Sequence, residues 1–348
     1  MHLTIPRLRI SVRAVALSLV FSAAFIPPHP ALAGQWIPGS YSTSTAPLIY
    51  IPFAPLSRDY RLFVPASYQA GTPIPLVVML HGCKQDPDIF AAGTRMNRLA
   101  ESENFLVLYP KQDSSSNSDR CWNWYDPSNQ NRGAEAAIIS GMVEKIKREY
   151  SVNKSRIYVA GMSAGGAMTS IMASCYSGMF AAAAVHSGLE YEAAGTPWAA
   201  ETLLLLQWAG LTDPNIAGRD AYRCSGSRRR LMPVMVIHGD ADKRVNVINA
   251  DQVIKQFAQM NDYGDDGRDD DSIRSIPTST TSGSVPNGRS YTVEHYNYGG
   301  RLLYQKVIVK GMAHAWSGGD NSQDVEHNDP QGPDASGLIW KFFSLHSR

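Results

Sequence analysis

Apolar and polar positions along this chain fall into two alternating rhythms. Pro75 to Gly82 (Pro-Leu-Val-Val-Met-Leu-His-Gly), Phe105 to Pro110, Ile157 to Ala160, Ala181 to Val185 and Pro233 to Gly239 are short, almost continuously apolar runs. Such runs between turn residues read as strands buried on both faces of a parallel sheet. Helical spacing separates them: Asp88 to Glu103 with Asp88 as its expected cap, Gly133 to Tyr150, an Ala- and Met-rich stretch after Ser163, Asn246 to Met260, and Asp334 to His346. In Gly133 to Tyr150 the Ala, Ile, Met and Val positions share one face, while Glu144, Lys145, Lys147 and Arg148 take the other. Arg58 to Val64 alternates like a strand and stops at Pro65; Thr292 to Tyr298 and Leu302 to Lys310 read as a late antiparallel pair or two edge strands. Strand and helix alternating at short spacing predict an α/β fold, a mostly parallel doubly wound sheet with helices on both faces. In such a sheet ligands bind beyond the carboxyl ends of the strands.

Three stretches stand outside this rhythm. The first, residues 1–33, has a basic start at Arg7, Arg9 and Arg13, an apolar run from Ala14 to Ile26, and Ala31-Leu32-Ala33. Charge, a short apolar core and a small-x-small end read as a secretory signal cleaved before Gly34. The second, residues 34–57, is rich in Ser, Thr, Pro and Gly and reads as an extended lead-in to a catalytic domain at 58–348. The third, residues 261–289, carries Asp265, Asp266, Asp269, Asp270 and Asp271 before a Ser/Thr/Gly/Pro run. It reads as an acidic, solvated, mobile insertion; its spacing does not match an EF-hand loop and no Glu closes it.

Removing the three signal arginines leaves 29 basic residues against 31 acidic ones, a balance with no electrostatic footprint for nucleic acid. No second long apolar run follows, so no membrane association is expected after cleavage. All four cysteines, Cys83, Cys121, Cys175 and Cys224, lie beyond the signal. In an exported chain they suggest two disulfides with three pairings open. The sequence-local pairing, Cys83 with Cys121 and Cys175 with Cys224, is favoured; each loop of about 40 to 50 residues would add at most about 4 kcal/mol. No CxxC or His-rich spacing points to zinc, and neither metal nor cofactor is expected.

The chemistry centres on Arg156 to Met168, which contains Gly161-Met-Ser163-Ala-Gly165 between a short strand and a helix. A sharp strand-turn-helix elbow exposes a serine hydroxyl, and glycines either side avoid collisions across the turn. The helix start aims free N–H groups at the place where an oxyanion would form. A base and an acid should follow in chain order. Asp240 and Asp242 both follow the His238-Gly239 strand end; Asp242 is the expected acid and Asp240 the turn residue. His314 lies in the Gly-rich loop Lys310 to Gly319 and is the expected base. His81, His186 and His238 read as structural histidines at strand ends, with His186 the minor rival. Two oxyanion donors are expected, the amides of Ala164 and of Cys83 in His81-Gly82-Cys83. Trp124 and Trp316 are the expected apolar wall for an acyl chain or aromatic acid; Trp122 reads equally well as core.

These stretches resemble the secreted polyhydroxybutyrate-depolymerase family of esterases, which includes feruloyl and acetylxylan esterases. The resemblance rests on Leu80-His-Gly-Cys-Lys-Gln85, Tyr109-Pro110, Cys121-Trp-Asn-Trp-Tyr125, Gly161 to Met168, His238-Gly-Asp-Ala-Asp242 with Val245, His314-Ala-Trp-Ser-Gly-Gly319, and Gly332-Pro-Asp-Ala-Ser336. It implies an α/β-hydrolase fold, a Ser163, Asp242 and His314 triad, Cys83 and Ala164 as oxyanion donors, and a Cys83–Cys121 disulfide. The chain departs from that pattern at Asn129 to Glu135, which is shorter and lacks a His near 129, and at 261–289. The implied function is a secreted, extracellular or periplasmic serine esterase acting on hydroxyalkanoate oligomers, short acyl esters, or feruloyl and acetyl esters. With no stretch left over for a surface-binding module, soluble esters are expected over crystalline polyester. A serine peptidase on the same fold and an inactive secreted binding protein are the alternatives. Oligomeric state is not legible.

Overall fold

The computed structural model describes residues 34–42 and 57–348. The expected signal and residues 43–56 of the lead-in lie outside them. Twelve strands are described: β1 Gln35–Ser42, β2 Ser57–Val64, β3 Ile74–Leu80, β4 Leu106–Pro110, β5 Val152–Met162, β6 Ala182–His186, β7 Val234–Gly239, β8 Ser279–Ser284, β9 Ser290–Tyr298, β10 Arg301–Val309, β11 Trp316–Ser317 and β12 Asn328–Asp329. The eight α-helices are α1 Pro87–Thr94, α2 Met96–Glu103, α3 Ala134–Glu149, α4 Ala164–Cys175, α5 Pro197–Leu206, α6 Pro214–Ser225, α7 Ile248–Asp266 and α8 Ala335–Ser344. Ten strands form one sheet in the order β1-β2-β4-β3-β5-β6-β7-β10-β9-β8. The central six, β4 to β10 in that order, are parallel, and antiparallel strands close both edges.

The period of two in the apolar runs divides the core. Leu76, Val78 and Leu80 of β3 enter the cluster under α3, α4 and α7, with Ile139, Met168, Met172 and Phe257. Val77 and Met79 enter the opposite cluster, with Phe90 of α1, Met96 of α2 and Phe343 of α8. β3 is paired on one side with β4 and on the other with β5. The chain reverses its winding there, so the loops leaving β3 and β5 diverge and open a crevice at their carboxyl ends.

The structure departs from the periodicity reading in four places. The helix expected over Asp88 to Glu103 is two helices, because Arg95 between them takes a left-handed φ of 55°. Its cap is Asp86, not Asp88: the Asp86 carboxylate accepts from Ile89 N at 3.0 Å with Pro87 at the first helical position. Asp88 accepts from Trp36 Nε1 instead, tying α1 to β1. Helices α5 and α6 were not expected, although Thr196-Pro197 and Asp213-Pro214 carry the same cap-then-proline signal.

The fourth departure is residues 261–289, which are built into the domain. Helix α7 continues through Asn261 to Asp266, and β8 is the antiparallel edge strand against β9. The carboxylate of Asp262, 1 % exposed, accepts from the amides of Asp270, Asp271 and Ile273 and from Ser272 Oγ. This turn places Ile273 in the core. Sequence polarity had suggested solvation, but here one buried acid organises the others. Asp262→Ala is expected to lower unfolding stability by about 2 to 3 kcal/mol, as removal of a buried charged acceptor does. Asp266→Ala, at an exposed position, should change it by less than about 0.5 kcal/mol. Urea unfolding of the two variants checks both values.

Candidate active site

Ser163 joins β5 to α4 with φ 57° and ψ −122°, on the left-handed side that a side chain adopts only under constraint. Its amide donates to His186 O at 3.0 Å, and its carbonyl accepts from Ala167 N at 2.9 Å. The neighbouring glycines are dictated by close approach. A methyl at Gly165 would overlap the carbonyl oxygens of Leu80 and His81, and one at Gly161 would overlap Gly165 O. The start of α4 thus lies directly against the end of β3, and Ser163 stands at the crevice between them.

Asp242 lies on the turn after β7, and His314 on the loop after β10. His314 Nδ1 donates to Asp242 Oδ2 at 2.7 Å, while Asp242 Oδ1 accepts from the amides of Arg244 and Val245 at 2.8 and 2.9 Å. Burial pushes this carboxyl up, but hydrogen bonds and charge from His238 and His314 outweigh it and hold it well below the usual carboxylate range. With Nδ1 carrying the hydrogen, His314 Nε2 is left as acceptor. Among the described residues no hydrogen bond joins Ser163 to His314, a contact that often tightens only around substrate. Asp240 ties the same two loops from outside, its carboxylate accepting from Gly311 N at 2.5 Å.

Of the remaining strand-end histidines, His81 and His186 have both ring nitrogens engaged, whereas His238 has only Nε2 engaged. His81 Nε2 accepts from Gln112 N at 3.1 Å and Nδ1 donates to Gly82 O at 2.8 Å; burial pushes the ring's pKa down to about 4. His186 Nε2 accepts from Ser317 N at 3.1 Å, and burial keeps this ring neutral too. It is therefore no rival base. His238 Nε2 donates to Val245 O at 2.9 Å, with Asp242 Oδ2 3.4 Å from the same nitrogen.

The loop after β3 is tied down on both sides of Cys83. Gly82 N donates to Gln85 Oε1 at 2.9 Å and Lys84 N to Asp119 O at 2.6 Å. Cys83 is joined to Cys121, and Cys175 to Cys224, the sequence-local pairing. The Cys121 segment is itself held from below. Asn123 donates from its amide and its side chain to the buried Glu135, which also receives Gln112 Nε2 at 2.5 Å and the Arg58 guanidinium at 3.4 Å. Asn129 Nδ2 donates to Asn123 O and Gln130 Nε2 to Trp124 O. The 129–135 stretch therefore supports the loop bearing Trp124.

Ser163, Ala164, Cys83 and His314 line one cavity of about 610 Å³. Trp124 lines it as expected, but Trp316 does not. Trp316 is 1 % exposed and stacks on His186 at 4.7 Å in the core behind the His314 loop. Pro197, Ala200, Leu204 and Leu205 of α5 line the cavity together with Trp124. Sequence reading missed this wall because α5 is apolar nearly all round, with Trp198, Leu205 and Leu206 exposed. It also missed Gln85, His327 and their partner Asp324 on the polar side, where isolated polar residues in loops carry no periodic signal.

The sheet order, the elbow after β5 and the crevice define an α/β-hydrolase. The family model for "Esterase PHB depolymerase" matches residues 58–272, and the chain belongs to that family. It is 33 % identical over 254 residues to poly(3-hydroxyalkanoate) depolymerase C of Paucimonas lemoignei, spanning 72 % of this chain but only 56 % of that relative. It is 29 % identical over 211 residues to feruloyl esterase B of Neurospora crassa, across 58 % of this chain and 70 % of the relative. Acetylxylan esterase A of Talaromyces purpureogenus is 28 % identical over 256 residues, across 69 % of this chain and 59 % of the relative. An acetyl xylan esterase structure from Aspergillus awamori superposes with a TM-score of 0.65 at 20 % identity, over 88 % of this chain and 99 % of that one, which shows the shared fold.

One buried acid behind the cavity has no partner. Both carboxylate oxygens of Glu190, just after β6, are buried without a hydrogen bond, against Gly210 of the α5–α6 connection. Burial pushes its pKa up to about 8. The unfolded chain loses this proton near pH 4.5 and the folded chain only near 8, so the native state binds the extra proton between them. Stability should therefore fall as pH rises from about 4.5 to about 8. Glu190→Gln should remove that slope and raise stability at pH 8 by a few kcal/mol. Urea midpoints at pH 5 and pH 8 for both proteins decide it.

Proposed function

We propose that this chain is an exported serine esterase hydrolysing carboxylic esters through an acyl-enzyme. The observation that carries the reading is the His314 ring, held by Asp242 at 2.7 Å, lining the same cavity as the strained Ser163 elbow. Ser163 Oγ attacks the ester carbonyl while His314 Nε2 takes its proton. The developing oxyanion is met by the amides of Ala164, at the start of α4 where helix N–H groups are unpaired, and of Cys83. Collapse releases the alcohol, which takes the proton from His314. Water then attacks the acyl-serine, giving a proton to His314, and collapse releases the carboxylic acid as His314 returns that proton to Ser163 Oγ. Asp242, ionised by the bonds it receives, holds the ring in one tautomer throughout.

The names of the relatives support hydroxyalkanoate oligomers, feruloyl and acetyl esters as the substrate range, with Trp124 and the α5 leucines as the apolar wall. Two disulfides support an oxidising, extracellular or periplasmic location. Among the described residues no helix is long and apolar enough to cross a membrane.

Hydrolysis of short p-nitrophenyl esters tests the reading. Ser163→Ala and His314→Ala should each lower kcat by about 10⁴, and the double variant should fall little further because the residues act as one unit. Asp242→Asn should cost far more than Asp240→Asn. Full activity in Ser163→Ala would overturn the mechanism, and a larger loss in Asp240→Asn would reassign the acid.

A further inference from the structure

His327, one half of a second histidine–carboxylate pair, also lines the cavity. His327 Nδ1 lies 2.9 and 3.1 Å from the two carboxylate oxygens of Asp324. The same carboxylate accepts from Gln85 Nε2 at 2.8 Å, and Gln85, 2 % exposed, accepts from Gly82 N at 2.9 Å. A continuous chain of hydrogen bonds therefore runs from His327 to the loop that carries the Cys83 amide. The backbone is anchored as well. His327 N donates to Asp324 Oδ1 at 3.2 Å, and Trp316 N, two residues after His314, donates to His327 O at 2.7 Å. Pairing of β11 with β12 zips the two histidine-bearing segments together.

This arrangement is more than a stable core needs. The His327 side chain, 18 % exposed where it lines the cavity, is oriented by a carboxylate that the buried Gln85 amide orients in turn. A carboxylate oxygen only accepts, so Nδ1 carries a hydrogen and Nε2 is left for another partner. Nε2 accepts when the ring is neutral and donates when it is charged. A hydroxyl satisfies either state, since it both donates and accepts. Charge does not favour an anion: Lys84, Lys243 and Arg244 around the cavity are matched by Asp119, Glu201 and Glu326.

We propose that His327, oriented by Asp324, is a specificity-determining residue that hydrogen-bonds a free hydroxyl on the ester substrate. Asp324 and Gln85 are positioning residues that fix its ring against the oxyanion loop. The proposal rests on the esterase reading and adds the polar group the site selects. The hydroxyl sits on either the acyl or the alcohol part, and the two arms of the test separate these.

The test compares kcat/KM for two ester pairs that differ only by hydroxyl groups: p-nitrophenyl 3-hydroxybutyrate against p-nitrophenyl butyrate, and 2,3-dihydroxypropyl butyrate against propyl butyrate. The wild-type protein should favour the hydroxylated member of one pair about tenfold or more, the discrimination a buried hydrogen bond supplies. His327→Leu should lose that ratio, with the hydroxylated ester falling about tenfold further than its partner. Asp324→Asn should lose part of it, and His327→Gln should keep part of it. Thermal melts confirm that each variant is folded; if His327→Leu does not fold, the ratio in His327→Gln and Asp324→Asn decides. A wild-type protein with no preference in either pair, or variants that lower both members equally, would overturn the proposal while leaving the esterase reading intact. A wild-type protein that cleaves none of the four esters would overturn both.

Discussion

Everything at the candidate site hangs on one close approach of backbones, where the first turn of α4 lies against the last residues of β3. Gly165 touches the carbonyls of Leu80 and His81, and Gly161 touches Gly165 O, so no side chain can enter that contact. The approach forces Ser163 to a positive φ, which by itself is unfavourable. It is held by the parallel pairing of β3 with β5 and of β5 with β6, and by the bond from Ser163 N to His186 O. The same contact brings the amides after β3 and at the start of α4 to one side of the crevice. A strained serine, a helix start and a strand-end loop are thus consequences of one packing decision.

Around that contact the protein keeps imidazoles in fixed states by assigning partners to their nitrogens. His81 and His186 are buried, neutral and engaged on both nitrogens, so they brace the strand ends without competing for protons. His314 differs because one of its nitrogens is bound to a buried carboxylate and the ring borders the cavity. Asp242 can stay ionised in an apolar setting because two backbone amides and two histidines converge on it. Glu190, only a few residues beyond β6, is the contrasting case. It has burial without partners, and its proton affinity rises accordingly. Two acids near one crevice are thus set apart by hydrogen bonds rather than by depth.

The loops that shape the cavity are rigid for reasons remote from it. Glu135, on α3, gathers Arg58, Gln112 and Asn123, and through them fixes the segment that joins Cys83 and bears Trp124. Helix α5 also lines the cavity and is anchored through its following connection, where Trp208 N donates to Leu203 O and Gly210 N to Asn249 Oδ1. The lining is aromatic and aliphatic at Trp124 and α5 and polar at Lys84, Gln85 and His327.

Much of this was legible in the chain alone. Continuous apolar runs marked the parallel strands because burial on both faces leaves no polar position, and Gly161-x-Ser163-x-Gly165 marked the elbow because only glycine fits there. Chain order pointed to Asp242 and His314, since loops at the carboxyl ends of a parallel sheet converge on one crevice. Tertiary structure alone decided the rest. Trp316 faces the core because His186 lies beneath it, which no local pattern records. Asp262 turns an acidic stretch into a fold element because four donors meet at a buried carboxylate, and those donors become neighbours only after α7 is packed. The α5 wall and the His327–Asp324–Gln85 chain escaped the sequence for the same reason. Gln85 and Asp324 are 239 positions apart, and a hydrogen bond between loops has no periodicity to betray it. Periodic burial is written along one dimension, whereas polar partnership is settled only in three.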